Sequence, residues 1–113
     1  MDRRALLGRV AEAAVGQRLS EEGFRVLEVG YECPFGEIDL IARKDDLVVF
    51  AEVRSRTLSS FMSPAESIDL AKQRRIKTTA SLWMRRYGEG LTARFDVFEV
   101  ASGRVEHIID AFR

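Results

Sequence analysis

The sequence predicts a mixed α/β domain in the order α-β-β-β-α-β-β, with helices packed on a central sheet. Three observations carry this. Apolar residues recur at three-to-four spacing in two separate segments, residues 3–22 and 70–87. Between and after them lie short runs rich in Val, Ile, Phe and Tyr, each of strand length. Turn-forming residues punctuate those runs: Gly23, Pro34 with Gly36, Asp45-Asp46, Gly88 and Ser102-Gly103.

Taken in order, Asp2 is placed to cap a helix running to about Glu22, with Gly23 just past its end. Its apolar stripe reads Leu6, Val10, Ala13 and Ala14, then Leu19. Phe24–Glu32 reads as the first strand; Glu37–Ala42 and Leu47–Arg54 read as the next two. A polar loop covers 55–63, and Ser63-Pro64 can start a short helical turn, with proline at its tolerated first position. A second long helix runs from about Leu70 to Tyr87, capped by Asp69 and closed by Gly88. Its stripe of Ile76, Ala80, Trp83 and Tyr87 is expected to face the core. Arg94–Val100 and Arg104–Ile109 form the last strand pair.

Composition narrows the function. The 113 residues hold 18 Lys plus Arg against 18 Asp plus Glu, with one Cys and one His. A chain of this size makes one domain, residues 1–113, around one core. With 46% hydrophobic and 32% charged residues it is expected to fold as a soluble globule. One cysteine excludes an intrachain disulfide and a thiolate zinc cluster, and one histidine leaves little for a His-rich metal site. No apolar run approaches the ~20 residues of a membrane span, and the first residues lack the apolar core of a signal peptide. The expectation is a reduced cytoplasmic protein with no membrane partner.

The zero net charge conceals an uneven distribution. Residues 61–90 hold six basic residues (Lys72, Arg74, Arg75, Lys77, Arg85, Arg86) and three acidic ones, whereas residues 31–60 hold four basic and six acidic. An acidic pocket beside a basic helix fits a phosphate backbone. A solvated helix face gives the same counts.

The middle hairpin concentrates the chemistry. With the turn centred on Asp45-Asp46, paired positions sum to 91: Glu37 faces Arg54, Asp39 faces Glu52 and Ile41 faces Phe50. Alternation then gives one wholly apolar face, from Ile38, Leu40, Ala42, Leu47, Val49, Ala51 and Val53. The other face gathers Glu37, Asp39, Glu52 and Arg54 at the end away from the turn. Directly opposed carboxylates on a sheet repel by about 0.2–1 kcal/mol even when exposed. A hard divalent cation such as Mg²⁺ would offset that repulsion; so would Arg54 or Arg56 in a purely structural ion-pair network.

Gly36-Glu37-Ile38-Asp39-Leu40-Ile41, followed by Phe50-Ala51-Glu52-Val53-Arg54-Ser55-Arg56, resembles the YraN family of small bacterial proteins. Further matching blocks are Asp69-Leu70-Ala71-Lys72-Gln73-Arg74-Arg75, Arg94-Phe95-Asp96-Val97, and His107-Ile108 with Ala111-Phe112, so the resemblance spans nearly the whole chain. It implies a restriction-endonuclease-like fold, related in architecture to Holliday junction resolvases, whose members use D-x(n)-E-x-K and often a helix Glu. On that resemblance Asp39 and Glu52 are the acidic pair and Glu12 the helix acid, together holding Mg²⁺ or Mn²⁺. Arg54 stands where Lys is usual, and Arg cannot act as a base; Lys72 is the substitute cation nearest in pattern. Arg56, Lys72, Gln73 and Arg75 are the candidate nucleic-acid contacts. The implied activity is phosphodiester hydrolysis on DNA, branched or damaged, by a homodimer. The alternative is a nucleic-acid-binding or protein-interaction module that keeps the fold without the chemistry.

Other residues carry structural readings. Cys33 has no partner His nearby in sequence, His107 reads as a packing or hydrogen-bonding residue, and Trp83 and Tyr87 fit a core stripe. Phe61 is either a loop anchor or a wedge beside the site.

Overall fold

The computed structural model describes residues 2–55 and 68–113, the Arg4 side chain excepted. The elements are α1 (Arg3–Glu21), β1 (Arg25–Cys33), β2 (Gly36–Lys44), β3 (Leu47–Ser55), α2 (Leu70–Tyr87), β4 (Thr92–Ala101) and β5 (Arg104–Phe112). This is the expected α-β-β-β-α-β-β order. The strands form one mixed sheet in sequential order, antiparallel except between β3 and β4. That parallel pair needs a crossover, and α2 lies within it.

Local signals set the helix ends. The Asp2 carboxylate accepts a hydrogen bond from the Ala5 N–H at 2.8 Å, and Asp69 accepts from the Lys72 N–H at 2.8 Å. Past α1 the chain turns through Gly23 at φ +94°, and the Phe24 N–H returns to the Leu19 carbonyl. Lys44 donates to the Glu22 carbonyl at 2.9 Å, so the far end of β2 finishes the helix terminus.

Each helix covers one face of the sheet. Val15 and Leu19 of α1 pack on Leu40, Ala42, Val49, Ala51 and Phe98. Ile76, Ala80 and Trp83 of α2 pack on Ile38, Ile41, Val48 and Phe50. Phe50 meets Trp83 edge-on, with ring centroids 5.7 Å apart at 82°, an arrangement worth about 0.5–1.5 kcal/mol beyond area burial.

Three expectations need correction. The buried stripe of α1 is Ala11, Val15 and Leu19; Leu6 and Val10 are more than half exposed, Ala13 is exposed and Ala14 only partly covered. The first two turns of the helix hold exposed Leu6, Leu7 and Val10 while Val15 and Leu19 are fully covered, so the stripe rotates by one residue. Tyr87 is 53% exposed and lies against Trp83 at the rim of the core. The hairpin register holds from Leu40↔Ala51 to Lys44↔Leu47, each pair summing to 91, but Ile38 does not share a face with Leu40. Ile38 packs toward α2 and Leu40 toward α1, so the alternation breaks at Asp39. The Ser63-Pro64 turn, Phe61 and Arg56 lie outside the described residues.

Candidate functional site

The break in alternation is where the site forms. Backbone pairing of β2 with β3 ends at Leu40–Ala51, and beyond it the Val53 N–H is taken by the Asp39 side chain at 2.8 Å. A carboxylate has replaced a strand carbonyl as the acceptor. This turns Asp39 toward Glu52, which is 7% exposed on the middle strand of the sheet. From the first turn of α2, Lys72 places Nζ 2.5 Å from Glu52 Oε1.

These groups line a cleft of about 170 Å³ made by Glu37, Asp39, Glu52, Lys72, Arg75 and Ile76. The close approach of α2 depends on Gly36. A Cβ there would lie 3.1 Å from Thr79 Oγ1 and 3.3 Å from Arg75 Cβ. Cys33 donates to Thr79 Oγ1 at 3.4 Å, and Thr79 to the Arg75 carbonyl at 2.9 Å, so Cys33 braces the same helix–strand contact.

Among the described residues, burial and mutual repulsion in the carboxylate pair outweigh the positive charge that faces it. Burial and then repulsion from Glu52 push the Asp39 carboxyl up to about 7, against opposing pulls from the Val53 N–H and Lys72. Glu37 is raised by burial, then by Asp39 and Glu32. Glu12 is raised by burial, then by Asp39 and Glu37, which puts this helix acid within electrostatic reach of the pair. Glu12 nevertheless borders a different hollow, about 810 Å³ and mainly apolar, between Leu7, Val10, Val53 and Val100. The chemistry favours the smaller cleft, which holds the charges. Among the described residues no three His, Cys, Asp or Glu side chains gather in a way that could hold a metal ion. Asp39 and Glu52 offer hard oxygen donors that fit Mg²⁺ or Mn²⁺, with the remaining positions left for water and phosphate oxygens.

The other sequence candidates are placed differently. Arg54 is half-buried on β3, opposite Glu99 of β4, and does not line the cleft. The Gln73 amide donates to the Ile68 carbonyl at 3.0 Å, securing the start of α2. Arg75 is exposed at the cleft wall. His107 does hydrogen-bond: its Nε2 lies 2.6 Å from Asp96 Oδ2. Sequence reading missed the anchoring of Asp39 by the Val53 N–H, since a regular ladder leaves no such bond to expect.

The family described as "Uncharacterised protein family UPF0102" matches residues 11–100. The chain belongs to the UPF0102 (YraN) family. A UPF0102 protein of Moorella thermoacetica is 39% identical over 102 residues, covering 89% of this chain and 85% of the relative. One from Anaeromyxobacter dehalogenans is 41% identical over 117 residues, covering 98% and 87%. One from Alkaliphilus metalliredigens is 37% identical over 110 residues, covering 94% and 96%. Among the described residues no helix is long and apolar enough to cross a membrane.

Proposed function

We propose that this UPF0102 protein is a metal-dependent nuclease that hydrolyses phosphodiester bonds in DNA. The observation that carries the reading is the forced proximity of Asp39 and Glu52 at the sheet's centre, faced by Lys72 and Arg75. Carboxylates pushed together without a full set of donors are costly, and catalytic sites are where such costs concentrate. Asp39 and Glu52 would hold Mg²⁺ or Mn²⁺. Such an ion supplies Lewis acidity toward a phosphate and lowers the pKa of water.

The chain's own groups divide the remaining work. Lys72 and Arg75 put positive charge where a phosphate would enter the cleft. Glu12, on α1 outside the cleft lining but within electrostatic reach of Asp39, would hold a second metal ion or orient its water. Arg54 adds charge and hydrogen-bonding capacity from β3. Lys72 and Arg75, three residues apart on one side of α2 and both at the cleft, would meet neighbouring phosphates; Arg56 is a candidate contact on sequence grounds alone. A homodimer would offer two such sites to a two-stranded substrate. The working compartment is the cytoplasm.

A second reading has its own support: a DNA-binding module that does not cut. The ammonium of Lys72 already neutralises Glu52, and Arg stands at position 54 where the wider fold has Lys. One experiment separates the two. Cleavage of branched and linear DNA in Mn²⁺ is compared among wild type, Asp39→Asn and Arg54→Lys purified in parallel. The nuclease reading expects cleavage by wild type, loss in Asp39→Asn and a gain in Arg54→Lys. Cutting that persists unchanged in Asp39→Asn sinks it, and DNA binding with no cutting by any variant leaves the binding module.

A further inference from the structure

Among the described residues, a cation from outside the hairpin meets the carboxylate pair. Lys72 reaches across from α2, and its placement costs the helix something. It is the third residue after the Asp69 cap, in a first turn that holds no acidic side chain. A positive charge there opposes the helix dipole, typically by about 0.3–1 kcal/mol. Glu52 is the partner that offsets this cost, at 2.5 Å.

The two partners differ in freedom. Glu52 is held in the sheet with its side chain 8% exposed, whereas the Lys72 side chain is 40% exposed. The flexible four-carbon stem lets the ammonium leave Glu52 without disturbing the core. A divalent ion that takes Glu52 as a ligand competes with that ammonium for the same oxygen lone pairs. A phosphate entering the cleft competes with Glu52 for the ammonium.

We infer that Lys72 is an exchangeable counter-ion: it neutralises Glu52 while no metal is bound and moves to a backbone phosphate when metal and nucleic acid arrive together. Each ligand then removes what obstructs the other, so metal and DNA bind cooperatively, and linkage makes the effect reciprocal. Resting on the metal-and-DNA reading of this site, the coupling adds a device to it: a metal that binds weakly in the absence of DNA and tightly in its presence.

The test is calorimetric titration of Mn²⁺ into the full chain, wild type and Lys72→Met. Each titration is run alone and with a saturating short phosphorothioate duplex that resists cleavage. Wild type is expected to bind Mn²⁺ at least about fivefold tighter with the duplex, the lower end of ordinary coupling. Lys72→Met is expected to bind Mn²⁺ several-fold tighter than wild type without DNA, and the duplex to add less than about twofold. Lys72→Gln gives the same pattern and guards against a poorly folded Met variant. Lys72→Arg retains the coupling. Arg104→Gln, an exposed charge removed from the β4–β5 turn, leaves the wild-type pattern intact. An equal duplex effect in wild type and Lys72→Met, with both binding Mn²⁺, overturns the counter-ion role and leaves the metal site standing. No Mn²⁺ binding by wild type under either condition overturns the site and the coupling together.

Discussion

Two aspartates of the sheet meet burial in opposite ways. Asp96, fully buried on β4, is supplied with every partner it needs. Arg94 donates to both of its oxygens at 2.8 and 2.7 Å, His107 lies 2.6 Å away, and the Asp110 N–H donates at 3.0 Å. Burial raises its carboxyl, but the bonds from His107, Arg94 and Asp110 outweigh that and hold it below the usual range. Among the described residues Asp39 has one backbone donor and a second carboxylate beside it, and is pushed up to about 7. Among the described residues, the fold gives one carboxylate a full set of donors and the other a single backbone donor beside a second acid. That shortage marks the site.

The contrast breaks most readily at Asp96. Asp96→Ala leaves Arg94 and His107 without their shared acceptor, and removal of one member of a buried pair costs about 3–5 kcal/mol. Urea denaturation should show a loss of that size; a change under about 1 kcal/mol would mean the network is not a structural brace.

Asp39→Asn should act in the opposite direction, and the size of its effect depends on pH. An acid with a folded pKa near 7, above its ordinary 3.8, binds more protons when folded than when unfolded. Its contribution favours the fold below that range and is lost as pH rises through it. Asp96, shifted down, stabilises at neutral pH and loses that contribution as acid protonates it. Without metal, Asp39→Asn should therefore match wild type near pH 4 and exceed it at pH 8 by on the order of 2–4 kcal/mol. Parallel stability curves for the two proteins across pH 4–8 would contradict the shortage of charge at Asp39.

Gly36→Ala probes the wall of the cleft. The added methyl meets Thr79 and Arg75, and overpacking of this kind typically costs about 1–3 kcal/mol. Thermal melts should record the loss, and unaltered stability would show that α2 can retreat freely. The smallest effect belongs to Val10→Ser. That residue is 58% exposed on α1, and the melt should shift by no more than about 0.5 kcal/mol equivalent.

Much of this arrangement is legible in the sequence because it is local. Asp45-Asp46 fixes the hairpin register as far as Leu40↔Ala51, which leaves Asp39 and Glu52 adjacent just beyond the paired ladder. The caps Asp2 and Asp69 lie one residue before the helices they start. What escapes the sequence depends on tertiary choices. The α1 stripe is ambiguous because alanines at 11, 13 and 14 suit either phase, and only packing selects Ala11. Ile38 changes sides because a side chain takes over a backbone acceptor role. The Asp96 network requires β5 to shift register between the partners of Phe95 and Val97, with Asp110 at φ +56°, which no periodicity announces.

The central claim is that Asp39 and Glu52 form a site for a divalent cation. Calorimetric titration of Mn²⁺ into wild type and Asp39→Ala tests it most directly. Saturable binding in wild type that disappears in a folded Asp39→Ala protein is the predicted result. Equal heats in the two proteins, or none in either even with DNA present, would contradict it.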